Sequence, residues 1–230
     1  MTWNVLHRIH ADNWGEAVVH ADEAARIAAI TARLVARDEQ VLALQEVSGD
    51  QLASLRTALP TATIFTLQYP RIPKPRHGTS SLRDPAEYLV TVVLGAATEV
   101  AAEASRDDPG KGLLAVDVGG ALVINTHVTY GEPRVRQLAR LSQVACATDG
   151  PAILLGDFNA ERTIVAAALG EAFAFAVLAE SALPTRPRTT GGKSSSIDHV
   201  IVRGATAGAA AVIDAGGLSD HSLVTARIES

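Results

Sequence analysis

The sequence has little from which to build a covalent or aromatic framework. Its one cysteine, Cys146, excludes an internal disulfide. That residue falls in an Ala-rich helical stretch, where burial as a small apolar side chain is expected. Aromatic residues make up 4% of the chain, leaving few rings to stack on nucleic-acid bases. No apolar run approaches the ~20 residues of a membrane span. Met1-Thr2-Trp3-Asn4-Val5 lacks the basic region and apolar run of a secretory signal, so the cytoplasm is the expected location. An excess of basic charge is missing too. The formal net charge is −5, an average that repels a long polyanion, whereas a small phosphorylated substrate held through a metal ion needs no basic surface.

What is present is globular: 230 residues, 47% hydrophobic and 20% charged, enough for one α/β domain with a sizeable core. Short apolar runs rich in β-branched residues predict strands at Trp3 to Leu6, Val41 to Leu44, Leu89 to Leu94, Leu113 to Val118, Leu122 to Asn125, Ala152 to Leu155, Val200 to Val202 and Leu223 to Ile228. Ala21 to Asp38 carries Ile27, Ile30, Leu34 and Val35 near the 3.6 period. Pro133 to Ala147 opens with a helix-starting proline and continues with Val135, Leu138 and Leu141. A third helix follows Asn159, through Ile164 and Leu169. Turns such as Gly119-Gly120 between adjacent strands favour mixed or antiparallel sheets with flanking helices over a strict βαβ repeat. The irregular stretches Tyr69 to Pro85, Arg106 to Gly112 and Pro184 to Ser196 read as loops on one scaffold, hence a single domain over residues 1–230.

The polar residues are placed more tellingly than their number suggests. Six segments are apolar strands that end, or begin, in groups able to bind metal or phosphate: Trp3-Asn4-Val5, Leu44-Gln45-Glu46-Val47, Asn125-Thr126-His127-Val128, Gly156-Asp157-Phe158-Asn159, Ile197-Asp198-His199-Val200 and Ser219-Asp220-His221-Ser222. Any one of them is an ordinary turn or cap. Together they carry the residue types that one reaction requires.

In these motifs and their order, from Asn4 to His221, the chain resembles the endonuclease/exonuclease/phosphatase superfamily, with its deoxyribonuclease I-like fold. The resemblance implies a four-layer α/β/β/α sandwich of two mostly antiparallel sheets flanked by helices, with the site at one rim. It implies hydrolysis of a phosphoester, which needs a cation, donors to the phosphoryl oxygens and control of a water proton. Carboxylate and amide oxygens favour Mg²⁺, with Mn²⁺ or Ca²⁺ as substitutes, over zinc. Glu46 is the expected direct ligand, Asn4 assists directly or through water, and Asp220 is the second carboxylate that the family implies. His221 and Asp198 form the base-side pair, Asp157 is the rival base or water-positioner, and Asn159 and His127 donate to a phosphoryl oxygen. His199 should turn to the opposite face as a structural residue. Asn125 and Thr126 read as local supports of His127, and His7 and His10 as rim or surface residues.

Substrate choice lies in loops rather than in the shared core. The loops here are short, and two basic segments, Arg71 to His77 and Arg186-Pro187-Arg188 with Lys193, suit either solvent or a second phosphate. The first motif places Leu6 where repair-type nucleases usually carry an acid, which puts that role in doubt. The favoured reading is a cytoplasmic phosphoesterase acting on a small phosphorylated molecule or a lipid-type phosphodiester. A Mg²⁺-dependent DNA or RNA nuclease is the alternative, and a non-catalytic binding version of the fold the third.

Overall fold

The computed structural model describes residues 1–16, 20–187 and 194–229. In chain order the elements are β1 (Thr2–Asn4), α1 (Arg8–Trp14), α2 (Glu23–Val35), β2 (Val41–Ser48), α3 (Gly49–Ala58), β3 (Thr63–Gln68), β4 (Glu87–Val93), β5 (Thr98–Ala104), β6 (Gly112–Val118), β7 (Ala121–His127), α4 (Arg134–Cys146), β8 (Ala152–Asp157), α5 (Arg162–Leu169), β9 (Ala174–Phe175), β10 (Val177–Leu178), β11 (Asp198–Arg203), β12 (Thr206–Ile213) and β13 (Leu223–Glu229).

They form a seven-stranded sheet, β10-β12-β13-β1-β2-β4-β3, and a six-stranded sheet, β5-β6-β7-β8-β11-β9. Pairing is antiparallel except at β1–β2, β10–β12 and β7–β8. Alternation along the strands separates apolar cores beneath the helices from those between the sheets. Leu44, Trp3 and Val90 face Ile30, Leu34, Leu52 and Leu55 of α2 and α3. Ile124 and Leu154 face Leu138 and Leu141 of α4 and Val165 of α5. Their strand neighbours Ala43, Val123 and Leu155 meet Val116, Val200 and Val224 between the sheets. Helix, sheet, sheet and helix therefore stack as the four expected layers, and no helix among the described residues is long and apolar enough to cross a membrane.

The layer between the sheets also holds a polar bridge. Asn125 donates to the Val90 carbonyl at 2.9 Å and the Leu44 carbonyl at 3.3 Å, and accepts from Gln45 Nε2 at 2.8 Å. Expected as a support of His127, Asn125 instead ties one sheet to the other. Thr126 donates to the Gly112 carbonyl of the neighbouring β6.

The helix faces also differ from the periodic reading. Val35 and Val135 are exposed, in the last turn of α2 and the first of α4 respectively, while Glu23 and Arg26 of α2 are buried. Cys146, the final residue of α4, is exposed, because the apolar face is already made by Leu138, Leu141, Val144 and Ala145. The helices α1 and α3 and the strands β3, β5 and β12 carry too weak an apolar period to stand out in the sequence.

Candidate active site

Strand register alone gathers half of the polar groups. His127 lies opposite Asp157 in the parallel β7–β8 pair, and Asp198 lies opposite Asp157 in the antiparallel β8–β11 pair. The ends of β7 and β8 and the start of β11 thus set an imidazole and two carboxylates in one row. On the facing sheet, Asn4 closes β1 opposite Gln45, and Glu46 follows in a bulge of β2 between Leu44 and Val47. A bulge re-aims its side chain. Because β13 runs antiparallel to β1, Asp220 and His221, just before it, arrive at the same rim.

Short contacts lock these segments together. Ser219 Oγ donates to the Asn4 carbonyl at 2.7 Å and accepts from His221 N at 3.1 Å, while Trp3 Nε1 donates to the His221 carbonyl at 2.9 Å. Asn4 Nδ2 donates to Glu46 Oε1 and to Asp157 Oδ2, each at 3.1 Å, and Asn4 Oδ1 takes the Leu6 N–H at 3.0 Å. Asn4 therefore presents its NH₂ group, rather than its oxygen, to the two acids. Asp157 Oδ1 accepts from Asn159 N at 2.8 Å, and Asp157 Oδ2 lies 3.3 Å from His127 Nε2 and 3.8 Å from His221 Nε2. His221 Nδ1 meets Asp198 Oδ2 at 2.9 Å. Thr185 Oγ, fully buried, fixes the start of β11 by accepting from Asp198 N and Ile197 N.

Electrostatics follows from this crowding. Burial favours the neutral form of His221, but Asp198, Asp220 and Asp157 outweigh it and push the imidazole up to about 10. Burial likewise acts to raise Asp157, yet His221, His127 and Lys111 hold it well below the usual carboxylate range. Glu46 behaves in the same way: burial opposes ionisation, and His10, His127, Lys111 and the Asn4 amide overcome it. Asp198 moves the other way, since burial raises it more than His221 lowers it.

Several contributors were not legible as such. Lys111, from a loop, sets its ammonium against the His127 ring. His10 of α1 meets Glu87 Oε2 at the start of β4 at 3.2 Å, and His10 helps to hold Glu46 ionised. Glu87 obeys the same rule of polar residues at strand ends that marked the six motifs. His7 is buried and caps α1 through Nδ1, and its N–H donates to Glu46 Oε2 at 3.1 Å. His199 does turn away: Nε2 meets the Ala160 carbonyl at 2.8 Å and the ring packs on Phe158 and Phe175. Of the basic segments, Arg71 pairs with Asp108 at 3.0 Å, Arg76 binds the Asn13 backbone, and Arg186 reaches Asp220 Oδ2 at 2.9 Å. Arg188 and Lys193 lie outside the described residues.

Backbone strain concentrates here as well. Among the described residues the non-glycine positions with positive φ are Leu6 (58°), Glu46 (57°) and Asn159 (47°), all beside the site, each costing about 1–3 kcal/mol. Gly156 sits at φ 152°, and a Cβ there would lie 1.9 Å from the Thr126 carbonyl oxygen of β7. Only glycine lets β8 pass that close, which puts Asp157 beside His127. Gly156→Ala is expected to lower unfolding free energy by about 2–4 kcal/mol, combining overpacking with a strained backbone; urea denaturation checks this.

The divalent cation implied by the resemblance is compatible with these donors. Glu46 and Asp157 are held ionised, and Asp220 Oδ1 is buried with no hydrogen-bond partner. A desolvated carboxylate oxygen without a donor calls for a cation, and oxygen donors suit Mg²⁺, Mn²⁺ or Ca²⁺. Two groups of three described side chains bring ligand atoms within 4.8 Å of one another: Asp157, Asp198 and His221, and His10, Glu46 and Glu87.

The sequence model of the Endonuclease/Exonuclease/phosphatase family matches residues 1–221. No curated protein sequence matches the chain. Among solved structures, D. rerio TDP2 complexed with single strand DNA product superposes with a TM-score of 0.70 at 15% identity, covering 100% of this chain and 97% of that one. A functionally unknown conserved protein from Enterococcus faecalis V583 gives 0.68 at 18% identity, over 99% and 97%. The endonuclease/exonuclease/phosphatase from Beutenbergia cavernae DSM 12333 gives 0.67 at 21%, over 99% of this chain and 70% of that one. Likeness at such identities speaks to the fold.

Proposed function

The chain belongs to the endonuclease/exonuclease/phosphatase family, and from that premise we propose that it is a divalent-metal-dependent phosphoesterase. In this reading one domain hydrolyses a P–O bond of a small phosphorylated molecule or a lipid-type phosphodiester. The observation that carries it is the meeting of a buried row, His127, Asp157 and Asp198, with Asn4, Glu46 and His221 from the facing sheet. What a divalent cation held by Glu46 and Asp220 supplies is neutralisation of phosphoryl charge, and the Asn4 amide holds Glu46 in place by donating to it.

The chain's own groups do the remainder. His221, charged at neutral pH and fixed by Asp198, donates from Nε2 to a phosphoryl oxygen. His127 donates alongside, with the Lys111 ammonium adding positive charge. Asn159 Nδ2 donates to the Val128 carbonyl at 2.9 Å, and an amide NH₂ has a second N–H left for substrate. Asp157, ionised and central to these groups, orients the attacking water and accepts its proton.

The test is a substrate panel of bis-p-nitrophenyl phosphate, p-nitrophenyl phosphate, plasmid DNA and single-stranded oligonucleotides, with Mg²⁺ or Mn²⁺. Turnover of at least one simple ester is expected, abolished by EDTA and restored by added metal, with little plasmid nicking. No turnover of any ester would overturn the reading.

A nuclease is the second reading, and one feature favours it. Tyr130 is 81% exposed, with the Arg134 guanidinium 5.7 Å from its ring centroid, and Arg134 also donates to the Asn159 carbonyl at 2.7 Å. A ring and a guanidinium beside the site suit a stacked base, and the D. rerio TDP2 structure holds a single strand DNA product. Efficient shortening of oligonucleotides, reduced in Tyr130→Ala, would place this reading first.

A further inference from the structure

The site contains more unsatisfied polarity than one cation accounts for. Beyond Glu46, on the side of α1 and β4, Glu87 is completely buried. One of its oxygens meets His10 Nε2 at 3.2 Å, and the other, Oε1, has no hydrogen-bond partner. The Tyr69 hydroxyl, on the chain beside β4, and His7 Nε2 are likewise buried without partners. The His7 and His10 rings lie 5.4 Å apart. Burial, and after it the charges of Glu87 and Glu46, raise the Tyr69 hydroxyl well above its ordinary value. Three orphaned polar atoms are therefore gathered at the His10–Glu87 pair, one of them on Glu87 itself. Each such atom is costly in an apolar interior, and three at one pair mark a place built for a polar occupant.

The ligand atoms of His10, Glu46 and Glu87 lie within 4.8 Å of one another. We propose that His10, Glu46 and Glu87 form a second cation site, which takes a transition metal ion of the zinc type through one imidazole and two carboxylates. The donor set is the argument for that class. Mg²⁺ prefers oxygen donors and retained waters, whereas one histidine nitrogen with two acid oxygens is a set that zinc accepts while keeping a position open. The Tyr69 hydroxyl and the free Glu87 oxygen complete the polar wall. His10 is a fifth exposed, the others less, which leaves an entry path from the rim. The site shares Glu46 with the phosphoesterase reading but does not depend on turnover, because it is read by binding alone.

The experiment titrates the full chain with Zn²⁺ in the presence of saturating Mg²⁺ by calorimetry, and with Co²⁺ by visible absorption. One equivalent of Zn²⁺ is expected to bind despite the Mg²⁺, with Co²⁺ giving the intense bands of a low-coordinate site. His10→Gln and Glu87→Gln should each weaken Zn²⁺ binding by at least about 100-fold, since loss of a ligand exceeds the effect of losing an outer partner. Circular dichroism confirms folding, and the partial exposure of His10 makes its variant the safer of the two. Three outcomes overturn the proposal: no Zn²⁺ bound in excess Mg²⁺, equal binding in both variants, or loss in His221→Asn with retention in His10→Gln. The last would put the ion at Asp157, Asp198 and His221. Failure of the phosphoesterase reading looks different, with no ester turned over whatever metal binds.

Discussion

Asp157→Ala is expected to reduce kcat on a simple phosphodiester by about 10²–10³-fold or more while the chain remains folded. The carboxylate stands where every polar strand end converges. It accepts from the Asn159 backbone N–H and the Asn4 amide, and lies within 3.8 Å of the His127 and His221 imidazoles. Removing it takes away a proton acceptor and releases the alignment of Asn159, Asn4 and the two histidines together. Asp157→Asn separates those contributions. The amide oxygen can still receive the Asn159 N–H, so alignment is largely kept, but the group no longer accepts a proton from water. Equal loss in the two variants assigns Asp157 to proton transfer, and substantial retention in Asp157→Asn assigns it to positioning. A loss of less than about 10-fold in Asp157→Ala would remove Asp157 from the chemistry, since single groups of this kind contribute at least about 10².

The pH dependence of kcat should distinguish the two roles open to His221. Burial lowers its pKa, but Asp198, Asp220 and Asp157 together bring it up to about 10. In the proposed function the protonated ring works at neutral pH as a donor. A donor is present below its pKa and lost above it, so activity should hold through neutrality and fall as pH rises toward 10. The same group acting as a neutral base would instead give a rate that is low at neutrality and climbs as pH rises toward 10. Asp198→Asn removes the largest charge that raises His221, and should move the alkaline fall toward neutral pH.

Much of this was legible from the chain because strand periodicity is local. Once an apolar run of period two is read as a strand, the residue that ends it must lie at a sheet rim. Glu46, His127 and Asp157 were placed by that logic before any register was known. The registers themselves, which put Asp157 between His127 and Asp198, depend on pairing across distant segments. Lys111 escaped because it comes from an irregular loop, where no period marks a direction. His10 stayed undecided between rim and surface because α1 is a seven-residue helix too short to show an apolar face. Glu87 opens its strand like the other polar ends, but carries no companion residue to make a motif. The apolar-face reading of α2 failed at Arg26, since an arginine can turn inward when enough carbonyls await it.

That arginine carries the largest expected stability effect. Arg26→Met should lower unfolding free energy by about 3–5 kcal/mol, a large share of the roughly 5–15 kcal/mol typical of a folded domain. The guanidinium is buried, bonded through Nε and Nη2 to both oxygens of Glu23 at 2.8 and 2.7 Å. It also donates to the carbonyls of Val5 and Leu218 at 2.9 Å and Leu6 at 2.8 Å. Val5 and Leu6 follow Asn4, and Leu218 precedes the Ser219-Asp220-His221 turn. One side chain of α2 thus clamps the first motif to the last, over 192 residues of sequence. Its removal leaves a buried Glu23 without its main partner and three carbonyls without donors. In Glu23→Leu/Arg26→Met the stranded charge is gone, so part of the loss should return, while the carbonyls stay unpaired. The catalytic readout separates clamp from filler. If Arg26 sets the position of Asn4 and Asp220, kcat should fall in both variants, measured well below their unfolding midpoints. Restored stability with restored kcat in the double variant would mean that the clamp only held the fold, and a single-variant loss under about 1 kcal/mol, the size of one ordinary hydrogen bond, would mean that water replaces it.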